Sequence, residues 1–143
     1  MKADIWLLAG GVLSAVAAAL HVGCIFGGPS WYRFFGAGEG MARLAARGSL
    51  RAVLITLFIA AVLALWAAYG FSGAGLIPRL PLLRTALMLI SALYLLRAAA
   101  LPWFLKYARD RGLPFIYWSS AIVLVYGIVF AVGTWTAWPR LAS

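Results

Sequence analysis

A chain of 143 residues, 66% hydrophobic and 10% charged, with a mean hydropathy of +1.00, lies outside the composition of soluble domains, which carry about 45–50% apolar and about 25% charged residues. This excludes a water-solvated globule, and the length leaves room for one domain without a large module outside a membrane. The net charge of +9, from twelve Lys and Arg against three Asp and Glu, comes from residues that flank apolar runs and never form a block of like charge, so it points to membrane topology and anionic headgroups and away from nucleic acid.

Crossing about 30 Å of hydrocarbon takes about 20 apolar residues in a helix, and four stretches meet that need: Ile5 to Phe26, Leu50 to Phe71, Leu82 to Phe104 and Phe115 to Trp138. A segment in hydrocarbon must satisfy its own backbone, so helix prevails over strand despite the valines and isoleucines. The expected fold is an all-α integral membrane protein, a single domain over residues 1–143 with four transmembrane helices in an antiparallel bundle, because the connectors are short. Lys2 ahead of the first run and Ala17-Ala18-Ala19 within it imitate a secretory signal. The run is read as a retained anchor.

The first run carries small residues on two adjacent rows, Gly10, Ser14 and Ala18 beside Gly11, Ala15 and Ala19. Such rows let helix backbones approach closely, which drives association where apolar burial no longer does. The first helix is therefore expected to be the most buried. Ala60, Ala64 and Ala68 repeat the device in the second run and predict a contact between these two helices. The fourth run, with Gly127 and Gly133 among bulky residues, is expected to face lipid over more of its circumference.

Trp6, Trp66, Tyr69, Trp135 and Trp138 are assigned to one aromatic belt, and Trp31, Tyr32, Trp103, Tyr107, Tyr117 and Trp118 to the other. The first and third connectors hold Arg33, Arg43, Arg47, Arg51, Lys106, Arg109 and Arg111, against Lys2, Arg79, Arg84 and Arg140 on the opposite side. The positive-inside rule then places those connectors in the cytoplasm and both termini outside it, in a bacterial inner membrane. The second connector, SGAGLIPRLP, has turn composition. Pro102 removes a backbone donor and blocks the carbonyl of Ala98, which predicts a kink or an early stop in the third helix.

The first connector is more than a loop. Arg43, Arg47 and Arg51 recur every four residues and form a basic membrane-surface stripe if the segment is helical, while Trp31, Phe34 and Phe35 supply apolar contact. This predicts an interfacial amphipathic helix within about residues 31–48. Glycines 36, 38 and 40 match neither the dinucleotide fingerprint nor the P-loop; they read as a break before a helix that Glu39 begins.

His21, the one histidine, and Arg97 fall at similar depth on the side of that connector. An arginine inside a span costs about 2.5–3.5 kcal/mol on insertion scales, so it snorkels, pairs or lines a cavity. Turned inward it would meet Glu39 or an anionic ligand. Tyr94, Tyr117, Ser119, Ser120 and Thr56 lie nearby in depth, so the candidate ligand-binding set is His21, Glu39, Arg51, Tyr94, Arg97, Tyr117 and Ser120. For His21 the leading expectation is a hydrogen bond to a neighbouring helix. Zinc needs three or four ligands, and one His, one Cys and one nearby Glu do not supply them. No cofactor is predicted, with single axial haem ligation by His21 as the minor alternative. Cys24 excludes an internal disulfide and is expected to pack as a small apolar residue.

The layout is similar in size and helix count to DoxX-like bacterial membrane proteins, without a shared motif. The acidic residue that small multidrug exporters bury in their first helix is absent, since Asp4 stands only at its entrance. Glutathione-using four-helix enzymes carry Arg, Asn and Glu along one helix, whereas this chain has no asparagine and no glutamine. The reading that ranks first is an accessory or interaction subunit without its own catalysis, partnered by anionic lipid and by other membrane subunits or a second copy. Behind it stand binding or transport of a lipid or amphipathic anion in a cytoplasmic-side pocket, and a membrane enzyme using His21, Glu39 and Arg97.

Overall fold

The computed structural model describes residues 4–35, 38–107 and 112–142. Among the described residues seven helices follow one another: α1 Ile5–Gly27, α2 Pro29–Phe34, α3 Glu39–Ala46, α4 Leu50–Ala74, α5 Leu83–Ala99, α6 Leu101–Tyr107 and α7 Leu113–Leu141. No strand occurs among the described residues. Three helices, α1, α4 and α7, are long and apolar enough to cross a membrane, and a fourth span results if the bent pair α5 and α6 is taken as one. That is consistent with an integral membrane protein. Lys2, Arg109 and Arg111 of the charge argument lie outside the described residues.

The helices pack as two close pairs, α1 on α4 and α5 on α7, joined mainly where α1 meets α7. Glycine sets the distance in the first pair. A Cβ on Gly70 of α4 would stand 2.8 Å from Gly11 Cα and 3.1 Å from the Leu7 carbonyl oxygen, so the two backbones are in contact. Between the pairs, Phe130 of α7 lies over Gly10 of α1, and Leu7 is held between Gly73 of α4 and Gly133 of α7. Leu7, Leu87 and Phe130 are wholly buried there.

The predicted contact of the first two spans is therefore present, but its surface differs on α4. Ala60 is buried, Ala64 is exposed and Ala68 only half-buried; the buried face runs through Ala52, Thr56, Ala60, Leu63, Ala67 and Gly70. The reason is helical pitch. Every fourth residue is rotated by about 40° from the last at 3.6 residues per turn, so a strict spacing of four drifts off the seam whereas alternating threes and fours stay on it. The same drift takes Gly11, Ala15 and Ala19 from buried to half-buried to exposed, while Gly10, Ser14 and Ala18 cross the centre of the contact and stay buried. α1 shares its place as the most buried span with α4, each at 28% of its most apolar window, and α7 at 22% turns more of its surface outward as expected.

The third span breaks at Ala100 and bends by 47° into α6, two residues before Pro102 reaches the chain. The second connector is pinned to α4: Ser72 Oγ donates to the Pro78 carbonyl at 3.1 Å and accepts from Leu80 N at 2.9 Å, and Tyr69 donates to the Pro81 carbonyl at 3.0 Å.

The first connector departs furthest from expectation. Across 31–48 there are two short helices, α2 and α3, the latter where the stripe was expected, but the stripe is broken: Arg43 lies on α3, Arg47 caps it, Gly48 turns with φ 66°, and Arg51 opens α4. All three arginines are exposed. Tyr32 and Ala42 form a second small core with Cys24 of α1, flanked by Phe35, Met41 and Ala45. The connector folds back on the end of α1.

Candidate functional site

The candidate residues divide among three places. At the connector end, His21 Nδ1 lies 2.7 Å from the Ala17 carbonyl oxygen. A carbonyl only accepts, so Nδ1 donates, and the partner is a carbonyl of its own helix where a neighbouring helix had been expected. Tyr32 and Thr56 hydroxyls are 2.9 Å apart, and Thr56 donates to the Ala52 carbonyl at 2.8 Å. Thr56 has one proton, so Tyr32 donates to it and ties α2 to α4. Tyr32, buried to 3% exposure, thus belongs to the interior and not to an aromatic belt.

Glu39 heads α3, as its sequence position predicts, and pairs with Arg33 Nε at 2.8 Å on the surface. The Arg33 hydrogen bond, aided by the charges of Arg33 and Arg43, holds the carboxyl below the usual glutamate range. Glu39 is therefore engaged by its own connector. Arg51 is exposed at the start of α4, where its N–H bonds Ser49 Oγ at 3.3 Å.

Arg97 reaches from α5 to α7, with Nη1 3.4 Å from Ser120 Oγ and Nη2 3.3 Å from Ser119 Oγ. Ser119 donates to the Ile116 carbonyl at 3.2 Å and so accepts from Arg97. The bend at Ala100 brings Phe104 of α6 under the guanidinium, 4.0 Å from its ring centroid. Arg97 and Ser120, two members of the predicted set, do meet. Tyr117, 53% exposed, lines a shallow surface groove with Trp118 instead.

Tyr94 lies at the centre of the bundle. Its hydroxyl is 2.8 Å from Ser14 Oγ, and its ring packs against Trp66 at 4.8 Å, Tyr126 at 5.4 Å and Phe130 at 5.6 Å between centroids. Tyr126 donates to the Leu13 carbonyl at 2.9 Å. Trp66, assigned to a belt from sequence, belongs to this cluster. The cue was partial: Ser14 stands in the small-residue row that must face a partner, and a hydroxyl there needs a hydrogen bond that either its own helix or a residue across the bundle can supply.

The opposite end holds a constellation that sequence reasoning missed. Asp4 caps α1 by accepting from Leu7 N at 3.0 Å, and its second oxygen accepts from Arg140 and Thr136, both at 3.1 Å. Arg79 donates to the Arg140 carbonyl at 3.0 Å and to that of Leu141. Arg84 donates to the Trp138 carbonyl at 2.8 Å and lies 4.0 Å over the Trp138 ring. Two arginines, Arg79 and Arg84, thus converge on the last turn of α7, whose carbonyls carry the negative end of the helix dipole, while Arg140 of that turn reaches Asp4. The signal was the grouping of Arg79, Arg84 and Arg140 on the side of Asp4.

No group of three or more His, Cys, Asp and Glu able to hold a metal ion occurs among the described residues. The chain matches no known family model, no curated protein and no solved structure.

Proposed function

We propose that this chain is a small polytopic membrane protein that acts by association, as an accessory or interaction subunit or as a homo-oligomer, and not through chemistry of its own. The observation that carries the reading is a second small-residue row on α4. Ala61 and Ala64 are exposed and Ala68 half-buried, so α4 uses one small face against α1 and turns another outward. In hydrocarbon such a face favours close approach by another helix. Catalysis by His21, Glu39 and Arg97 has less support, because each of the three is tied to a different partner.

The arrangement of charge supports the proposed orientation. Among the described residues Arg33, Arg43, Arg47, Arg51 and Lys106 stand against Glu39 at the connector end, whereas Arg79, Arg84 and Arg140 stand against Asp4 at the other. The connector end is the more positive and is assigned to the cytoplasm.

Native mass spectrometry from nanodiscs, on the wild type and Ala64→Phe, tests association. A dimer or a stoichiometric partner is expected for the wild type, with about tenfold weaker association in the variant. A wild-type monomer without partner at every concentration, or an assembly that Ala64→Phe leaves intact, would overturn the reading.

A further inference from the structure

The end of the bundle that carries Asp4 also carries a cavity of about 430 Å³ that none of the association argument uses. Its wall includes Arg79, Leu82, Arg84, Thr85 and Leu141, and four features of that wall point to the same chemistry.

The first is the start of α5. Its N-cap, Leu82, makes no side-chain capping bond, and the earliest bond into the helix is Ala86 N to the Leu82 carbonyl at 2.8 Å. The N–H groups of Leu83, Arg84 and Thr85 therefore precede the intrahelical ladder, and all three residues line the cavity. Such a terminus favours an anion through its free donors and the positive end of its dipole. The second is the pair of guanidiniums from Arg79 and Arg84, the latter with a buried Nε that has no hydrogen-bond partner. Third, Thr85 adds an exposed hydroxyl-bearing side chain at the mouth.

The fourth feature is Leu82 itself. It has φ 53°, the one non-glycine residue with positive φ among those described, and it is 79% exposed. A leucine held in the left-handed region is strained, and strain of this kind collects at ligand sites.

The wall also says what bears the anion. Leu82 and Leu141 give the cavity an apolar side. Below Thr85 on α5, at successive spacings of four, stand Leu89 and Leu93, 58% and 48% exposed. A polar mouth over a continuous outward track of leucine matches a headgroup with an acyl chain beneath it better than a free ion.

We propose that this cavity is a binding site for the phosphate of an anionic phospholipid, seated on the start of α5 between Arg79 and Arg84, with its acyl chain along Leu89 and Leu93. Arg84 then bridges two anionic surfaces, the lipid phosphate on one side and the α7 carboxyl-terminal carbonyls on the other.

The test reconstitutes the whole chain in nanodiscs of phosphatidylcholine with a minor fraction of phosphatidylglycerol and counts retained lipid by native mass spectrometry. The wild type is expected to keep phosphatidylglycerol enriched about tenfold over its bulk fraction, and Arg84→Gln to lose that enrichment. Arg43→Gln with Arg47→Gln, at the opposite end, keeps it, which separates a site from general surface attraction. Arg84→Gln also removes the Trp138 contact. If it does not fold, Thr85→Val, at an exposed position, decides: weaker retention supports the site and unchanged retention refutes it. Equal retention of the two lipids by the wild type, or loss only in the double variant at the connector end, would refute the proposal. Displacement of phosphatidylglycerol by millimolar inorganic phosphate would refute the lipid assignment in favour of a free anion.

Discussion

The backbone contact between α1 and α4 can be tested with one methyl group. Gly70→Ala places a Cβ 2.8 Å from Gly11 Cα, 2.9 Å from Gly11 N and 3.1 Å from the Leu7 carbonyl oxygen. All three are main-chain atoms of the facing helix, so no side chain can rotate aside and α1 must shift as a body. Overpacking of this kind costs about 1–3 kcal/mol, and a rigid neighbour puts it near the upper end, about 3 kcal/mol. Alanine in place of glycine returns about 1 kcal/mol of helix propensity. The net loss is about 2 kcal/mol, about 30-fold in the ratio of folded to unfolded protein, and about 5 °C in Tm for a chain of this size. Gly40→Ala is the matched control: it lies inside α3 with nothing within 4 Å of its added Cβ, so it gains propensity without a clash. Thermal melts followed by circular dichroism in mild detergent, on monodisperse samples, read both. The reasoning fails if Gly70→Ala melts at or above the wild type while Gly40→Ala behaves as expected.

Three further outcomes follow from particular contacts. Tyr94→Phe removes a partner from buried Ser14 and is expected to lower stability by about 1 kcal/mol, because a helical serine can turn back to a carbonyl of its own helix; a double-mutant cycle with Ser14→Ala that returns no coupling would contradict it. Arg33→Ala is expected to raise the Glu39 titration midpoint back toward the ordinary carboxylate range, read from the carboxylate band by infrared spectroscopy on isotope-labelled protein. The sign follows from the pair: the depressed carboxyl keeps its stabilising contact above the usual glutamate range and loses it only as pH falls through the lower, folded value, and a midpoint that did not move would show that Arg33 is not the cause. Pro102→Ala restores a donor toward the Ala98 carbonyl and is expected to reduce the 47° bend between α5 and α6, measured as a longer spin-label distance between positions 88 and 106. An unchanged distance would assign the bend to packing against α7.

What could be read from the residues depended on the range of the physics involved. Span positions follow from local hydropathy, and α1 and α4 start where that predicts. Ends set by side-chain contacts were harder. α7 runs on to Leu141 through Pro139 because its last carbonyls are taken up by Arg79 and Arg84, which no local pattern displays. The row Gly10, Ser14 and Ala18 was legible as a contact face, while Ala64 was misplaced because a spacing of four ignores the helical drift. The candidate site was grouped by depth along the spans, and depth leaves the angle around each helix undetermined. Arg97 and Ser120 share both depth and angle and so meet; Tyr94 reaches Ser14 at the centre of the bundle, about two turns along α1 from His21, which turns back on its own helix.

The two helix pairs are held by different forces, and this bears on what the molecule resists. Within α1 and α4 the contact is backbone against backbone through Gly11 and Gly70, held by close packing. Between the pairs, the join depends on Phe130 over Gly10, Leu7 between Gly73 and Gly133, and the hydroxyl bonds of Tyr94 and Tyr126. Those bonds gain strength where water is scarce and lose it where water can compete. α4 meets α5 and α7 only sparingly, and the edge between the pairs on that side includes Trp66 against Tyr94 and Gly73 against Leu87. A solvent that admits water to the bundle weakens the join between pairs before it weakens either pair. The Asp4 pair with Arg140 closes the join at one end with a charge-assisted bond, and Arg79 ties the α4–α5 connector to the end of α7, whereas the contacts of Arg84 with Trp138 and of Arg97 with Ser119 and Ser120 hold α5 to α7 within one pair. Of the polar residues that looked like candidates for chemistry, Tyr94 stands at the join between the pairs, where an apolar interior alone would leave them loosely held, and Arg97 and Ser120 stand within the α5–α7 pair.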